Sequence, residues 1–184
     1  MKRILFLIFA VMITASTTTI TATEITTSER PKIRSERIKQ VIFFDPILQS
    51  EEYCMSLNIY YEARSSNLAD QAAVADVVMN RVHDRRYPDT ICKVVKQGQQ
   101  YSSGAMKRNK CQFSWYCDGK NDNPRDIDNW MQAQNLAYNV IYNNKYRGIT
   151  EGATHYHATY VDPRWAKDLQ LVGRIGAHIY YRWE

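Results

Sequence analysis

The spacing of apolar residues predicts two neighbouring helices early in the chain. Apolar side chains recur about every four residues from Tyr53 to Tyr61, a pattern typical of an amphipathic helix that begins near Ser50. A second helix is expected to begin after Asn67, a good N-cap residue, and to continue to Val82. The polar break between the two patterns predicts that the helices meet at a sharp turn.

Further along the chain, helical patterns alternate with polar segments. A short helix is predicted after Pro88 and is ended by Gly98. The interval 99–129 is rich in Gly, Asn, Asp and Lys, which predicts mostly loop. Apolar spacing then predicts another long helix over about 128–146.

Near the C-terminus the apolar period changes from about four to two. Alternation over 153–160 and again over 174–182 predicts two antiparallel strands that are joined through 162–165. In the first strand, Tyr156 and His157 are expected on opposite faces. The whole pattern predicts an α+β fold, mainly helical, with a small antiparallel sheet near the C-terminus.

The first residues have the layout of a secretory signal peptide. A basic start precedes an apolar run from Ile4 to Ile13, and small residues follow. We therefore expect a signal peptide over 1–23, a flexible leader over 24–40 and one folded domain over 41–184. A bilayer-spanning helix needs about twenty apolar residues, so no permanent membrane span is expected. The alternative is a signal segment that is not cleaved and anchors the protein in the membrane. The chain is expected to be exported to the periplasm or cell envelope as a secreted protein.

Four cysteines in an exported chain predict disulfides rather than metal ligands. A Cys111–Cys117 bond would close a short loop, but pairing of Cys92 with either of these residues stays open. Cys54 is then expected to be a free buried thiol.

Charge and aromatic content indicate the kind of ligand. The formal net charge is +5, and the Lys and Arg residues are scattered, so no nucleic-acid partner is expected. Thirteen Tyr against five Phe favours a surface that stacks on a polar ligand and also forms hydrogen bonds to it.

Several short stretches, in the same order along the chain, resemble the SleB-type (spore cortex-lytic) cell-wall hydrolase family. They are Tyr60-Tyr61-Glu62-Ala63-Arg64, 71–82, Tyr87-Pro88-Asp89-Thr90-Ile91-Cys92, Cys111-Gln112-Phe113-Ser114-Trp115, His155-Tyr156-His157, Pro163 with Trp165, and 176–182. The resemblance covers roughly residues 53–182, and Tyr61 stands where the family commonly has Phe. It implies a lysozyme-like fold, peptidoglycan as the partner and substrate, and Glu62 as the catalytic acid. No cofactor and no metal are expected, and the protein is expected to be a monomer.

The residues around Glu62 suit such an acid independently of the resemblance. A carboxyl group in an apolar pocket has a raised pKa and can protonate a leaving oxygen at neutral pH. The alternative is a carboxylate at a helix end that is paired with Arg64 or Arg81.

The type of cleavage depends on a second carboxylate. A retaining glycosidase needs one about 5 Å from the acid, and the sequence offers Asp70, Asp76 and Asp118 as the nearest candidates. Asp70 is expected to support a helix cap and Asp76 to lie on the following helix. We therefore predict lytic transglycosylation, in which Glu62 acts as acid and then as base and a 1,6-anhydromuramic product forms. Hydrolytic muramidase action stays open.

Four further residues are candidates for substrate binding. Gln112 and Ser114 lie in the cysteine-bounded loop and offer an amide and a hydroxyl group to a sugar. Tyr156 and His157 lie on the predicted strand. A buried loop amide that satisfies backbone groups is the alternative for Gln112.

Three other functions are weighed against glycan cleavage. His155, His157 and His178 with Glu62 suggest a zinc-dependent peptidoglycan amidase. A Cys-His hydrolase is disfavoured because exported cysteines tend to oxidise. A non-catalytic wall-binding module is the third possibility.

Overall fold

The computed structural model describes residues 50–184. The predicted signal peptide, the leader and the first residues of the predicted domain lie outside the described residues. Within 50–184, none of the helices is long and apolar enough to cross a membrane.

Two capped helices form the first half of the fold. Helix α1 spans Glu51–Ala63, and Ser50 Oγ accepts a hydrogen bond from the Tyr53 backbone N–H at 3.1 Å. Helix α2 spans Leu68–His83, and Asn67 Oδ1 accepts from the Asp70 N–H at 2.9 Å. Each cap satisfies a donor that the helix leaves unpaired. The predictions of both helices and of the Asn67 cap are confirmed.

Two further helices complete the main core. Helix α3 spans Ile91–Val95 and helix α4 spans Ile127–Tyr142. The apolar faces of all four helices share one core, whose buried members include Met55, Ile59, Ala72, Val78, Val94, Val95, Leu136, Ala137 and Val140. Burial of this apolar surface is the main stabilising contribution to such a fold.

One disulfide joins two helices, and the other closes a short loop. Cys111 pairs with Cys117, as predicted, and Cys54 pairs with Cys92. The prediction of a free thiol at Cys54 is wrong. Its Cα atom lies 5.2 Å from that of Cys92, within the usual range for a disulfide, because α1 and α3 pack side by side.

A small hairpin replaces part of the predicted loop. Strands β1 (Gly98–Gln100) and β2 (Met106–Cys111) pair antiparallel. The prediction of loop over 99–129 is wrong here because these strands are mostly polar and partly exposed. They are held by backbone pairing, and no buried face imposes an alternating pattern on them.

The C-terminal sheet has three strands. Strand β3 spans His155–Ala158, β4 spans Gln170–Ile175 and β5 spans His178–Arg182. All pairing is antiparallel, with β5 in the centre.

The predicted single strand over 174–182 is wrong because the chain turns at Gly176. This residue has φ +58°, and a Cβ atom at this position would lie 2.6 Å from the Asp70 Cβ atom. Glycine therefore permits both the turn and the close approach to α2. The α+β fold class, mainly helical with a small antiparallel sheet, is confirmed.

Candidate active site

Glu62 lies in the last turn of α1 and reaches the C-terminal sheet. The residue is half-buried, and its Oε2 atom accepts a hydrogen bond from the Tyr156 hydroxyl at 3.0 Å. Tyr156 is on β3, so this bond joins the helical region to the sheet. The structure thereby brings together two of the residues that the sequence singled out.

The environment of Glu62 favours its protonated form. Burial of the carboxyl group raises its pKa, and this effect outweighs the hydrogen bond from Tyr156 and the positive charges of His178 and Arg81, which lower it. A carboxyl group with a raised pKa retains its proton to higher pH and can donate it to a leaving group.

Neither arginine that was considered as an ion-pair partner pairs with Glu62. Arg64 is exposed, and its guanidinium lies over the Tyr60 ring at 5.0 Å. Arg81 is buried and donates from Nε to the Thr154 carbonyl oxygen at 2.7 Å. Among the ion pairs of residues 50–184, none includes Glu62.

Asp70 fixes the sheet against the start of α2. Its carboxylate accepts hydrogen bonds from the Ala177 N–H at 3.0 Å, from His178 Nδ1 at 2.9 Å and from the Tyr180 hydroxyl at 2.9 Å. Burial acts to raise the pKa of Asp70, but the hydrogen bonds from His178, Ser66 and Ala177 together lower it. Asp70 is therefore an ionised anchor with no accessible surface.

The two faces of β3 have different surroundings. Tyr156 faces the rings of His178 and Tyr180, at centroid distances of 5.0 and 5.6 Å. His157 stacks on Tyr181 at 5.4 Å, and its Nε2 atom is 3.0 Å from the Tyr181 hydroxyl. We call the first face, with Tyr156, His178 and Tyr180, the inner face, because it contacts Glu62 and Asp70.

The opposite, outer face carries His155, His157, Trp165 and Tyr181, whose rings contact one another at centroid distances of 5.4 to 5.7 Å. The structure does not bring His157 to Glu62, and its role in binding stays a prediction.

The three histidines considered for zinc do not converge, because His178 lies on the inner face. Within the described range, no group of three or more His, Cys, Asp or Glu side chains is arranged to hold a metal ion.

The cysteine-bounded loop packs on the helix that carries Glu62. The Trp115 ring stacks on Tyr61 at 4.9 Å and donates from Nε1 to Asn58 Oδ1 at 3.2 Å. Gln112 and Ser114 are exposed on either side of a buried Phe113. The alternative of a buried Gln112 amide is therefore wrong, and both polar side chains are accessible to a ligand.

Sequence reasoning missed the full roles of three residues. Asp70 was interpreted only as a cap partner, Arg81 only as a possible ion-pair partner and His178 only as a possible metal ligand. The contacts of Asp70 join α2 to Ala177 and His178, 107 and 108 residues later, and the contact of Arg81 joins it to Thr154, 73 residues later. Only the alternation that places His178 and Tyr180 on one strand face could have indicated part of this arrangement.

Fold and site together define an α+β protein with a sheltered carboxyl group of raised pKa beside a small sheet. A sequence profile of the family described as Cell Wall Hydrolase matches residues 65–181. This match covers more than half of the chain, and the chain belongs to the cell wall hydrolase family. The matched range begins after Glu62, so the role of this residue is not part of the match.

Two solved structures are similar to this chain. The catalytic domain of the germination-specific lytic transglycosylase SleB from Bacillus anthracis has a TM-score of 0.52 and 20% identity, over 75% of this chain and 98% of that chain. The catalytic domain of the Bacillus cereus SleB protein has a TM-score of 0.49 and 20% identity, over 72% of this chain and 90% of that chain. Among curated proteins, no sequence matches this chain. The first likeness shows that the fold is that of a SleB catalytic domain.

Proposed function

We propose that this cell wall hydrolase cleaves peptidoglycan glycan strands as a lytic transglycosylase, with Glu62 as both the acid and the base. The observation that carries the proposal is the Glu62 carboxyl group itself. It is partly buried, it has a raised pKa, and it accepts a hydrogen bond from Tyr156 without forming an ion pair in the described part of the chain.

The reaction needs one proton donor that later becomes a proton acceptor. Protonated Glu62 donates its proton to the oxygen between C1 of N-acetylmuramic acid and C4 of N-acetylglucosamine, and the C1–oxygen bond breaks. The Glu62 carboxylate then removes the proton from the C6 hydroxyl of the muramic residue, and that oxygen bonds to C1. The product is a 1,6-anhydromuramic end, no water is consumed, and Glu62 is protonated again.

The surroundings of the other carboxylates support this mechanism over a retaining hydrolase. Asp70 and Asp76 are fully buried, and their carboxylates accept several hydrogen bonds each. Asp118 accepts from the Lys120 N–H and pairs with the Lys120 ammonium. All three carboxylates are engaged by these partners, which disfavours them as the nucleophile that a double displacement would need.

The comparisons support the same reaction. The family acts on the cell wall, and the similar Bacillus anthracis protein is a lytic transglycosylase. Within the site, we propose that Tyr156 orients the Glu62 carboxyl group and that Gln112 and Ser114 bind the glycan. We also propose that His157 binds the glycan, at a sugar further from Glu62.

The disulfides support a location outside the cytoplasm, where peptidoglycan is found. We propose export to the periplasm or cell envelope, with the predicted signal peptide over 1–23 as the targeting segment. The test is secretion of the full chain compared with a chain that lacks residues 1–23.

The decisive experiment is mass spectrometry of purified sacculi digested by the wild type, by Glu62→Gln and by Glu151→Gln as an exposed control. We expect 1,6-anhydromuramic ends from the wild type and the control. We expect Glu62→Gln to bind sacculi but to lose at least about a hundredfold in rate, the usual contribution of a general acid.

Other outcomes would identify other functions. Reducing muramic ends would indicate a hydrolytic muramidase, and freed stem peptides with chelator-sensitive activity would indicate the zinc amidase. Full lysis by Glu62→Gln would overturn the role of Glu62. Sacculus binding without any lysis by the wild type would support the wall-binding module.

A further inference from the structure

Arg81 is a buried cation that has no carboxylate partner among residues 50–184. The residue is 4% exposed, and none of the ion pairs in this range includes it. Its Nη1 atom is buried and has no hydrogen-bond partner within residues 50–184. An uncompensated buried charge is strongly destabilising, so its presence calls for a function.

The position of the Arg81 guanidinium is fixed by three contacts. Its Nε donates to the Thr154 carbonyl oxygen at 2.7 Å, and its Cζ atom lies 5.2 Å from the ring centroids of both Tyr87 and Phe113. Contacts between a guanidinium and aromatic rings stabilise the cation without neutralising its charge. The side chain is therefore held in place with its charge available to other groups.

The charge of Arg81 acts on Tyr87, on Tyr156 and on Glu62. Of these three groups, Glu62 is the proposed catalytic one. Arg81 is bonded to the residue two positions before Tyr156, and Tyr156 donates to Glu62. The positive charge of Arg81 lowers the pKa of Glu62, in the direction opposite to the larger effect of burial.

Other titratable groups also act on Glu62. Tyr156 on β3 bonds to it, His178 on β5 lowers its pKa, and Tyr180 on β5 interacts with its charge. His178 and Tyr180 are both bonded to Asp70. Burial lowers the pKa of the Arg81 guanidinium. Because that pKa starts from a very high value, Arg81 still carries its charge near neutral pH.

We propose that Arg81 is a positioning residue that acts through Glu62, its fixed charge stabilising the Glu62 carboxylate between donation of the proton and its recovery. The inference rests on the proposed function, in which one carboxyl group serves both steps. Burial alone would destabilise the Glu62 carboxylate that remains after the proton is donated, and so would disfavour donation. A direct ion pair would hold it ionised before the reaction, whereas a cation beyond pairing distance assists the carboxylate without preventing protonation.

The test is an NMR titration of the Glu62 carboxyl carbon in the full chain, together with the pH profile of kcat/KM on sacculi. The variants are Arg81→Gln, which removes the charge, Arg81→Lys, which keeps it, and Arg125→Gln, an exposed control. The Glu62 signal is assigned by its loss in Glu62→Gln.

We expect Arg81→Gln to raise the Glu62 midpoint by about one pH unit, as removal of a nearby partly screened charge would do. The alkaline limb of the activity profile should move in the same direction. Arg81→Lys should shift the midpoint by less than half as much, and Arg125→Gln should leave it unchanged. An unchanged midpoint in folded Arg81→Gln would overturn the proposal.

A measurement on the unsubstituted protein covers the case in which the Arg81 variants do not fold. During a pH titration, the Nε and Cζ chemical shifts of Arg81 should change at the same midpoint as the Glu62 carboxyl signal. This change should be absent in the Glu62→Gln variant. Shifts that do not respond to Glu62 would overturn the coupling. Failure of the proposed function is distinguishable, because it would appear as full lysis by Glu62→Gln whatever the NMR midpoints are.

Discussion

Tyr156 and His157 are adjacent on β3, yet their side chains enter different environments. On the inner face, Tyr156 donates to Glu62 and the neighbouring His178 bonds to Asp70. On the outer face, His157 bonds to the Tyr181 hydroxyl and packs against aromatic rings. Both faces carry histidine and tyrosine, but in the described part of the chain only the inner one has carboxylates as partners.

This difference shows that the groups packed against each face of the sheet, rather than the residue types on it, determine the chemistry. Burial, with added repulsion from Arg81 and Arg86, lowers the pKa of His155 on the outer face to about 4. Burial raises the pKa of Glu62 beside the inner face. The uncharged form is therefore favoured in both groups, but only in Glu62 does that form carry an acidic proton that it can donate.

The largest difference between the faces should appear in stability. Asp70→Ala leaves His178, Tyr180 and the Ala177 N–H without their buried acceptor, and removal of one partner of such a buried pair usually costs about 3–5 kcal/mol. His157→Phe on the outer face removes two hydrogen bonds, to the Ala158 carbonyl oxygen and to the Tyr181 hydroxyl, and keeps a ring, so we expect a loss of about 2 kcal/mol. Denaturant unfolding at neutral pH measures both values.

The Asp70 effect should also depend on pH. Because the pKa of Asp70 is lowered in the folded state, its contribution is present above the ordinary value of 3.8 and is lost as the pH falls through the folded value. The difference between the wild type and Asp70→Ala should therefore shrink in strong acid. Equal losses in Asp70→Ala and His157→Phe at neutral pH would contradict the distinction between the two faces.

A smaller effect is expected on activity when a single hydroxyl group is removed from each face. Tyr156→Phe removes the hydrogen bond to Glu62, and loss of about 1–1.5 kcal/mol should lower kcat about tenfold. The alkaline limb should move to higher pH, because this bond lowers the pKa of Glu62. Tyr181→Phe is the matched outer-face variant and should change kcat less than twofold. A similar loss in both variants, measured as release of soluble glycan, would show that the outer face takes part in catalysis.

Much of the site could be predicted because its first half is local in sequence. Helices α1 and α2 follow from apolar spacing and from the caps at Ser50 and Asn67, and Glu62 stands where the first pattern ends. Alternation over the first C-terminal strand placed Tyr156 and His157 on opposite faces. These signals depend on neighbours within a few residues, and the structure confirms them.

The remainder depends on contacts between distant segments, which a local pattern does not encode. The Cys54–Cys92 bond requires α1 and α3 to be neighbours, and the turn at Gly176 requires the start of α2 beside it. The β1–β2 hairpin has no buried face and so leaves no alternating pattern. In the sequence, Arg81 is not distinguishable from other polar residues near a helix end. Its role depends on the hydrogen bond to the Thr154 carbonyl oxygen, which only the fold provides.

The smallest expected effect is a pair of stability changes with opposite dependence on pH. Folded Glu62 keeps its proton above its ordinary pKa of 4.5, so wild-type stability falls as the pH rises from that value through the folded pKa. Folded His155 stays neutral from its ordinary pKa of 6.5 down to about 4, so stability falls as the pH drops through that window.

The Glu62→Gln variant should therefore gain Tm relative to the wild type as the pH rises. His155→Phe should gain it as the pH falls, by about 1 kcal/mol or 2–4 °C after discounting for solvent screening. Because His155→Phe also loses a contact with the Thr154 hydroxyl, the change with pH is compared, not the absolute Tm. Parallel pH dependence in the two variants would mean that both sites share one electrostatic environment.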